Sequence, residues 1–480
     1  MARNVDGEPR LLIDGALRTA RSGAVFPNVD PATEQVLGET ADAGPAEVDA
    51  AMAAARRAAD AGRWAADPAL RLRCLRQLHA ALVEEEQAFR DIDTAEAGRP
   101  HARTAGSIGA NIAALAKWID LAAGYEYEQP LPAGAGLLRR EPYGVVAAIL
   151  TWNCGFFLNI VKAGPALLAG NTLILRPAPE TPWQTTRFGR LIAERTDIPP
   201  GVVNVVASAS PQVAVALTTD PRVDMVTLTG STQVARQVMA QASATLKKVH
   251  LEAGGKSAAL LLDDADFPAA IATVAGMLCS NAGQTCAALT RLLLPRSRYA
   301  EGIEIARAAM STIRCGDPWD PGTGQGPQIS ARHRDRVLAY FERARAEGAR
   351  VVLGGGRPAD LPRGYFVEPT LFADVAPHST IAQEEIFGPA LAVTPYDGID
   401  DAVRIANDSI YGLSGAVYGA DVNRALDVAR RLRTGQVSVN GGQAFGVGPF
   451  GGYKQSGIGR EGGIWGFEEY LETKAIGMPR

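Results

Sequence analysis

An α/β fold with two parallel-sheet units is what this chain predicts, on three observations. It has 480 residues, too many for one core, so the length prior is roughly three structural units. A long central stretch alternates β-rich runs with helical ones, the pattern of a doubly wound parallel sheet. A second, sparser series of the same kind follows it.

The elements can be justified in chain order. After an extended opening, Pro45 stands at the start of a helical pattern with apolar positions at Val48, Ala51, Met52 and Ala55. Asp67-Pro68 opens a longer helix with Leu75, Leu78 and Leu82 on one face. From residue 145 the alternation begins: strand 145–150, helix 157–169, strand 172–175, a helix from Thr181, strand 202–206, a helix from Pro211, strand 225–228 and a helix from Ser231. The second series starts after Glu252 with strand 258–262 and continues through 412–419 and 437–440. Segments 125–140 and 466–476 fit neither series. The first, with Tyr125, Tyr127, Pro130, Pro132 and a Gly-Ala-Gly stretch, predicts a projecting hairpin.

Composition narrows the partners. The hydrophobic share of 47% is that of a globular protein, and 48 Lys plus Arg against 52 Asp plus Glu leave a net charge of −4. That balance gives no electrostatic case for nucleic acid or an anionic membrane, so a small or neutral ligand is expected. No apolar run approaches the ~18 residues that cross a bilayer, and residues 1–8 lack the apolar core of a secretory signal, which predicts a cytoplasmic protein. Cys74, Cys154, Cys279, Cys286 and Cys315 are an odd, sparse set without Cys-x-x-Cys spacing. Reduced thiols are expected, with neither a disulfide framework nor a metal site.

Two short motifs carry the chemistry: Leu251-Glu252-Ala253-Gly254-Gly255-Lys256-Ser257, then Gly283-Gln284-Thr285-Cys286, with acid and thiol 34 residues apart (286 minus 252). A carboxylate base and a thiolate are what an enzyme needs to capture a carbonyl carbon and then hydrolyse the thioester. Small residues beside each let backbone and ligand come close. These motifs, together with Glu385-Ile386-Phe387-Gly388-Pro389 and the run from Pro449 to Gly457, resemble the aldehyde dehydrogenase superfamily of the non-acylating type over essentially the full chain.

The resemblance implies a site. Cys286 matches the nucleophile that gives a thiohemiacetal, and the Asn153 amide with the Cys286 backbone N–H matches the oxyanion donors. Glu252 matches the base that activates water against the thioester. Lys162 and Glu461 occupy positions resembling a secondary proton relay. For the cofactor there is no Gly-x-Gly-x-x-Gly after a strand; instead Gly230 and Ser231, between a strand and a helix, offer N–H groups to a pyrophosphate. Thr151, Trp152 and Gly254 join this cofactor set. Glu385 resembles the residue that holds the nicotinamide ribose, with Phe387 against the ring. Relatives usually carry lysine where Arg176 stands and often glutamate where Pro179 stands. The arginine fork and the missing carboxylate are compatible with a 2′-phosphate, so NAD is expected as principal cofactor with NADP possible.

The same resemblance assigns residues 1–120 and 143–252 to a cofactor-binding domain, 253–459 to a catalytic domain, and 121–142 with 460–480 to oligomerisation elements of a homodimer or homotetramer. Thr151, Cys154, Gly155 and Val161 replace commonly larger groups, which predicts a wide tunnel. Phe156, Phe157, Leu158 and the loop 441–448 with Phe445 are expected to line it for a medium-sized apolar aldehyde. Cys154, next to Asn153, is expected either as core filler or as a redox partner of Cys286. A CoA-acylating dehydrogenase and a thiol esterase using the same cysteine are the alternatives.

Overall fold

Helix starts are written locally. Asp67 accepts a hydrogen bond from the Leu70 N–H at 2.9 Å and Pro68 occupies the first turn, so the helix Pro68–Glu84 begins where the sequence predicts. The helix Pro45–Asp60 likewise starts at its proline. This is a computed structural model, and it describes residues 5–442 and 447–479.

The alternating stretch supplies the central strands of an eight-stranded sheet, whose edges are Leu11–Ile13 with Ala16–Arg18 on one side and Gly457–Ile458 on the other. Lys248–Glu252, Met225–Thr229, Val145–Ile149, Thr172–Arg176 and Val203–Val205 run parallel in that spatial order. Val145–Ile149 and Thr172–Arg176 are buried throughout, because helices cover both faces, and this is why they read as unbroken apolar runs rather than alternating ones. The chain winds outward from Val145–Ile149 in one direction, then returns to build Met225–Thr229 on its other side. The order therefore reverses between these two neighbours, and a crevice opens beyond their carboxyl ends, where Trp152, Asn153, Gly230 and Ser231 lie.

A seven-stranded sheet holds the second series, in the order Arg350–Leu353, Thr370–Ala373, Ala390–Tyr396, Leu289–Pro295, Ser257–Leu261, Gly415–Tyr418, Ser438–Val439. Only the Arg350–Leu353 pairing is antiparallel. The expected strand 412–419 is shorter because the Gly412 N–H donates to Ser456 Oγ at 2.9 Å, which diverts its first residues into a loop. Strand Lys248–Glu252 of the first sheet leads within a few residues into Ser257–Leu261 of the second. The carboxyl edge of one sheet thus faces the amino edge of the other. Gly457–Ile458 crosses back to pair antiparallel with Leu251 and Glu252.

The predicted hairpin forms from Glu128–Pro130 and Gly136–Pro142, and the tail strand Leu471–Gly477 pairs antiparallel along it. The two segments that fitted neither series thus form one three-stranded sheet. No helix is long and apolar enough to cross a membrane among the described residues, and all five cysteines are free.

Candidate active site

The loop that carries Cys286 is fixed by its backbone and its amides. Helix Phe267–Cys279 ends, and Ala282 (φ +50°) and Gly283 (φ +75°) reverse the chain. A Cβ on Gly283 would overlap the Gly388 carbonyl, so only glycine fits. The Gln284 amide donates to the carbonyls of Asn281 (3.1 Å) and Pro327 (3.3 Å) and accepts from the Ile329 N–H (2.9 Å). Gln328 donates to the Ala282 carbonyl at 3.0 Å. Cys286 borders a cavity of 1040 Å³. Burial, then the neighbouring Cys154 thiol and the Glu385 and Glu252 carboxyls, push its thiol well above the ordinary cysteine value. The resting group is a thiol that needs a base or a bound cation to become a nucleophile.

Asn153 reaches the same loop from the crevice of the first sheet. Its Nδ2 donates to the Gln284 carbonyl at 2.9 Å, which uses one amide hydrogen and leaves the other for a group in the cavity. Thr151 donates its hydroxyl to Asn153 Oδ1 at 2.7 Å, and Arg99, paired with buried Asp93 at 3.1 Å, donates to the Asn153 carbonyl at 2.7 Å. Thr151, expected on the cofactor side, therefore also orients the asparagine while bordering the cavity. Arg99 and Asn281 support the site without having been singled out in the sequence, and Gln284 was named there only as part of the Cys286 motif. The Gly-Gln step before Cys286 was the available signal for Gln284.

Glu252 ends its strand at the cavity, 3% exposed, with neither carboxyl oxygen hydrogen-bonded. Burial, then Glu461, raise its pKa well above the ordinary carboxylate value, against the pull of Lys162 and Arg460. Lys162 and Glu461, expected as a secondary proton relay, are both buried and form an ion pair at 2.9 Å. Lys162 Nζ also donates to Thr227 Oγ1 at 2.9 Å, and that hydroxyl lies 2.9 Å from His250 Nδ1. His250 is two residues before Glu252 on one strand and shares its face. That period was the signal that could have found it.

At the other end of the cavity the predicted cofactor residues converge. A Cβ on Gly254 would overlap the Glu385 carboxylate, whose Oε1 accepts from the Gly255 N–H at 2.9 Å. Burial raises Glu385 to about 7, opposed by that N–H and by Lys256 and Arg336. Trp152 and Phe387 meet edge to face at 5.3 Å, and His333 Nε2 bonds the Phe387 carbonyl at 2.7 Å. Gly230 and Ser231 border the cavity at the start of helix Thr232–Ala242, with Ser231 accepting from the Val234 N–H at 3.3 Å. Among the described residues it is Glu180, rather than Arg176 or Pro179, that borders the cavity. Arg176 is buried and donates to the Ser208 carbonyl at 3.2 Å.

The remaining wall contains Cys154, Phe157, Leu158, Met277 and Phe450, with Ser107 and Asn111 one helical turn apart on helix His101–Ala123. Phe156 was expected here, but it points the other way along its helix and packs on Phe89 at 4.7 Å in the core. Phe445 lies outside the described residues.

Residues 18–476 match the profile of the aldehyde dehydrogenase family. A 3-succinoylsemialdehyde-pyridine dehydrogenase from Pseudomonas sp is 39% identical, over 97% of this chain and 97% of its own. The crystal structure of a Mycobacterium tuberculosis aldehyde dehydrogenase complexed with NAD+ superposes with a TM-score of 0.96 at 40% identity, covering 99% of each chain. A Pseudomonas syringae aldehyde dehydrogenase C variant with NAD+ and octanal gives 0.93 at 38%, covering 99% of this chain and 98% of that one.

Proposed function

The chain belongs to the aldehyde dehydrogenase family, and on that premise we propose that it oxidises a medium-sized aldehyde with an apolar body to the carboxylic acid, using NAD. The observation that carries this reading is the buried Glu252 carboxyl, without a hydrogen-bond partner, on the cavity that also holds Cys286 and Asn153. Leaving such a group unpaired costs about 1–3 kcal/mol, which a bound water offsets when the base is at work.

The residues fit the dinucleotide that the family uses. Gly254 lets the Glu385 carboxylate approach where a Cβ would overlap it, which sets that carboxylate at the cavity, and the helix start at Gly230 and Ser231 offers N–H donors. Glu385 and Phe387 would hold the nicotinamide riboside and Gly230 and Ser231 the pyrophosphate. When bound, the nicotinamide supplies the hydride acceptor.

Cys286, once deprotonated, adds to the aldehyde carbon, and the oxyanion accepts hydrogen bonds from the free Asn153 amide N–H and the Cys286 backbone N–H. After oxidation leaves a thioester on Cys286, Glu252 removes a proton from water as it attacks, and the thiolate leaves. Lys162 and Glu461 form the inner end of a buried path to that carboxylate. Phe157, Leu158, Met277 and Phe450 support an apolar substrate body, as does the octanal bound by the Pseudomonas syringae relative. Ser107 and Asn111 offer hydrogen bonds further along.

The two large sheets support assigning residues 1–120 and 143–252 to cofactor binding and 253–459 to the nucleophile. The small sheet of 121–142 and 460–480 would join copies into a homodimer or homotetramer. The free thiols suit a cytoplasmic setting.

The test is reduction of NAD and NADP by purified protein over aliphatic, aromatic, terpenoid and acidic aldehydes, with Cys286→Ala alongside. Reduction that depends on Cys286 and is fastest with aliphatic or terpenoid aldehydes and NAD is expected. A charged semialdehyde as best substrate overturns the substrate class, a tenfold preference for NADP overturns the cofactor, and stoichiometric acyl-CoA formation overturns hydrolysis.

A further inference from the structure

Beside Glu252 lies a buried chain of polar groups drawn from four parts of the sequence: Glu461, Lys162, Thr227 and His250. Its hydrogen atoms can be assigned in order. The Lys162 ammonium can only donate, so Glu461 Oε1 and Thr227 Oγ1 both accept from it, each at 2.9 Å. The Thr227 hydroxyl lies 2.9 Å from His250 Nδ1, and in one of the two tautomers that fit this contact it gives its hydrogen to that nitrogen. A neutral imidazole that accepts at Nδ1 carries its hydrogen on Nε2.

That Nε2 is buried without a partner and lies 3.8 Å from Glu252 Oε1, which also has none. Two complementary buried groups, each unpaired, face one another across a gap that about 1 Å of side-chain movement closes to a hydrogen bond. The ring itself has little freedom: a Cβ added at Gly459 would overlap His250 Cδ2, so the backbone there packs against the imidazole. The carboxylate is the partner that moves.

We propose that His250 is a positioning residue for the base: its imidazole, oriented through Thr227 by Lys162, donates its Nε2 hydrogen to Glu252 whenever that carboxylate ionises. The inference rests on Glu252 being the base that deacylates Cys286. A donated hydrogen bond favours the charged form, so His250 lowers the pH at which Glu252 becomes competent. The surroundings keep the imidazole neutral for this task, because burial, then Lys162, Lys248 and Arg460, hold its pKa well below the ordinary histidine value. The groups that face Glu252 are Glu461 and Glu469, which oppose its ionisation, and Lys162 and Arg460, which favour it. Tyr470 adjoins Thr227. None of these lends Glu252 a hydrogen, so His250 is the side chain placed to do so.

The experiment follows reduced-nicotinamide formation through the first turnover and beyond, across pH, so that the burst reports acylation and the later phase deacylation. His250→Leu removes the donor and His250→Gln restores an N–H near the Nε2 position. For His250→Leu the acid limb of the steady phase is expected to move up by about one pH unit, with an unchanged burst. The rate then falls about tenfold on the acid side and within twofold on the alkaline side. His250→Gln is expected to return the limb to within about 0.3 unit of the parent. Thr227→Val, which removes the hydroxyl that fixes the tautomer, is expected to shift the limb in the same direction, and it serves if the leucine variant fails to accumulate. Coincident limbs in all variants overturn the proposal, as does a shift that glutamine leaves uncorrected, since that marks packing alone. Glu252→Gln run in parallel separates the two failures: an undiminished steady phase there removes the base itself, and His250 with it.

Discussion

The proposed nucleophile and the proposed base sit on one cavity but are held in opposite ways. Cys286 rides on a loop whose turn admits only glycine at 283, whose amides at Asn281 and Gln284 are committed to neighbouring backbone, and whose Ala282 carbonyl is held by Gln328 from a separate segment. Glu252 ends a strand as a buried carboxyl with both oxygens free. Each step makes its own demand on the group that performs it. A nucleophile must meet a carbonyl carbon within a few tenths of an ångström, whereas a base must take up a water, accept its proton and clear the space that the substrate used.

The largest effect expected from breaking this contrast falls on the free side. Glu252→Gln keeps the shape and removes the base, so the steady rate should drop about 10²–10⁴-fold while the first-turnover burst survives; rapid-mixing absorbance separates the two. Asn153→Ala attacks the fixed side, and the burst itself should slow about 10²–10³-fold. Gly283→Ala forces a side chain into the Gly388 carbonyl and should lower stability by about 3 kcal/mol, read from denaturant midpoints.

The smallest effect is linked to pH. Glu252 has a folded-state pKa above its unfolded one, so its contribution favours folding below the unfolded value and is lost as pH rises through the folded one. Activity runs the other way, because the base is competent only above that folded pKa. The steady rate should therefore climb over the window in which thermal stability declines. In Glu252→Gln the decline should be shallower, which melting curves across pH would show.

Much of this was legible before the structure. Proline and aspartate marked helix starts, alternation gave the first sheet, and the residues around Glu252 and Cys286 named the chemistry. What escaped was any relation between distant segments that no local pattern encodes. Only the resemblance set Lys162 and Glu461 together as a relay, no local pattern marks either as buried, and folding makes them a buried pair. Phe156 and Phe157 are adjacent, and helical geometry alone sends one to the core and the other to the cavity. Thr227 and His250 lie on neighbouring strands whose pairing sets them side by side, a register that single-strand patterns do not reveal.

The Lys162–Glu461 pair also bears on how the protein is made. The two residues are 299 positions apart, so on a ribosome adding about 5–20 residues per second the lysine emerges some 15–60 s before its counter-ion exists. An unpaired ammonium resists burial, and strand Leu471–Gly477, which closes against Gly136–Pro142, arrives later still. The inner wall of the site therefore closes last, after nearly all of these 480 residues have been joined.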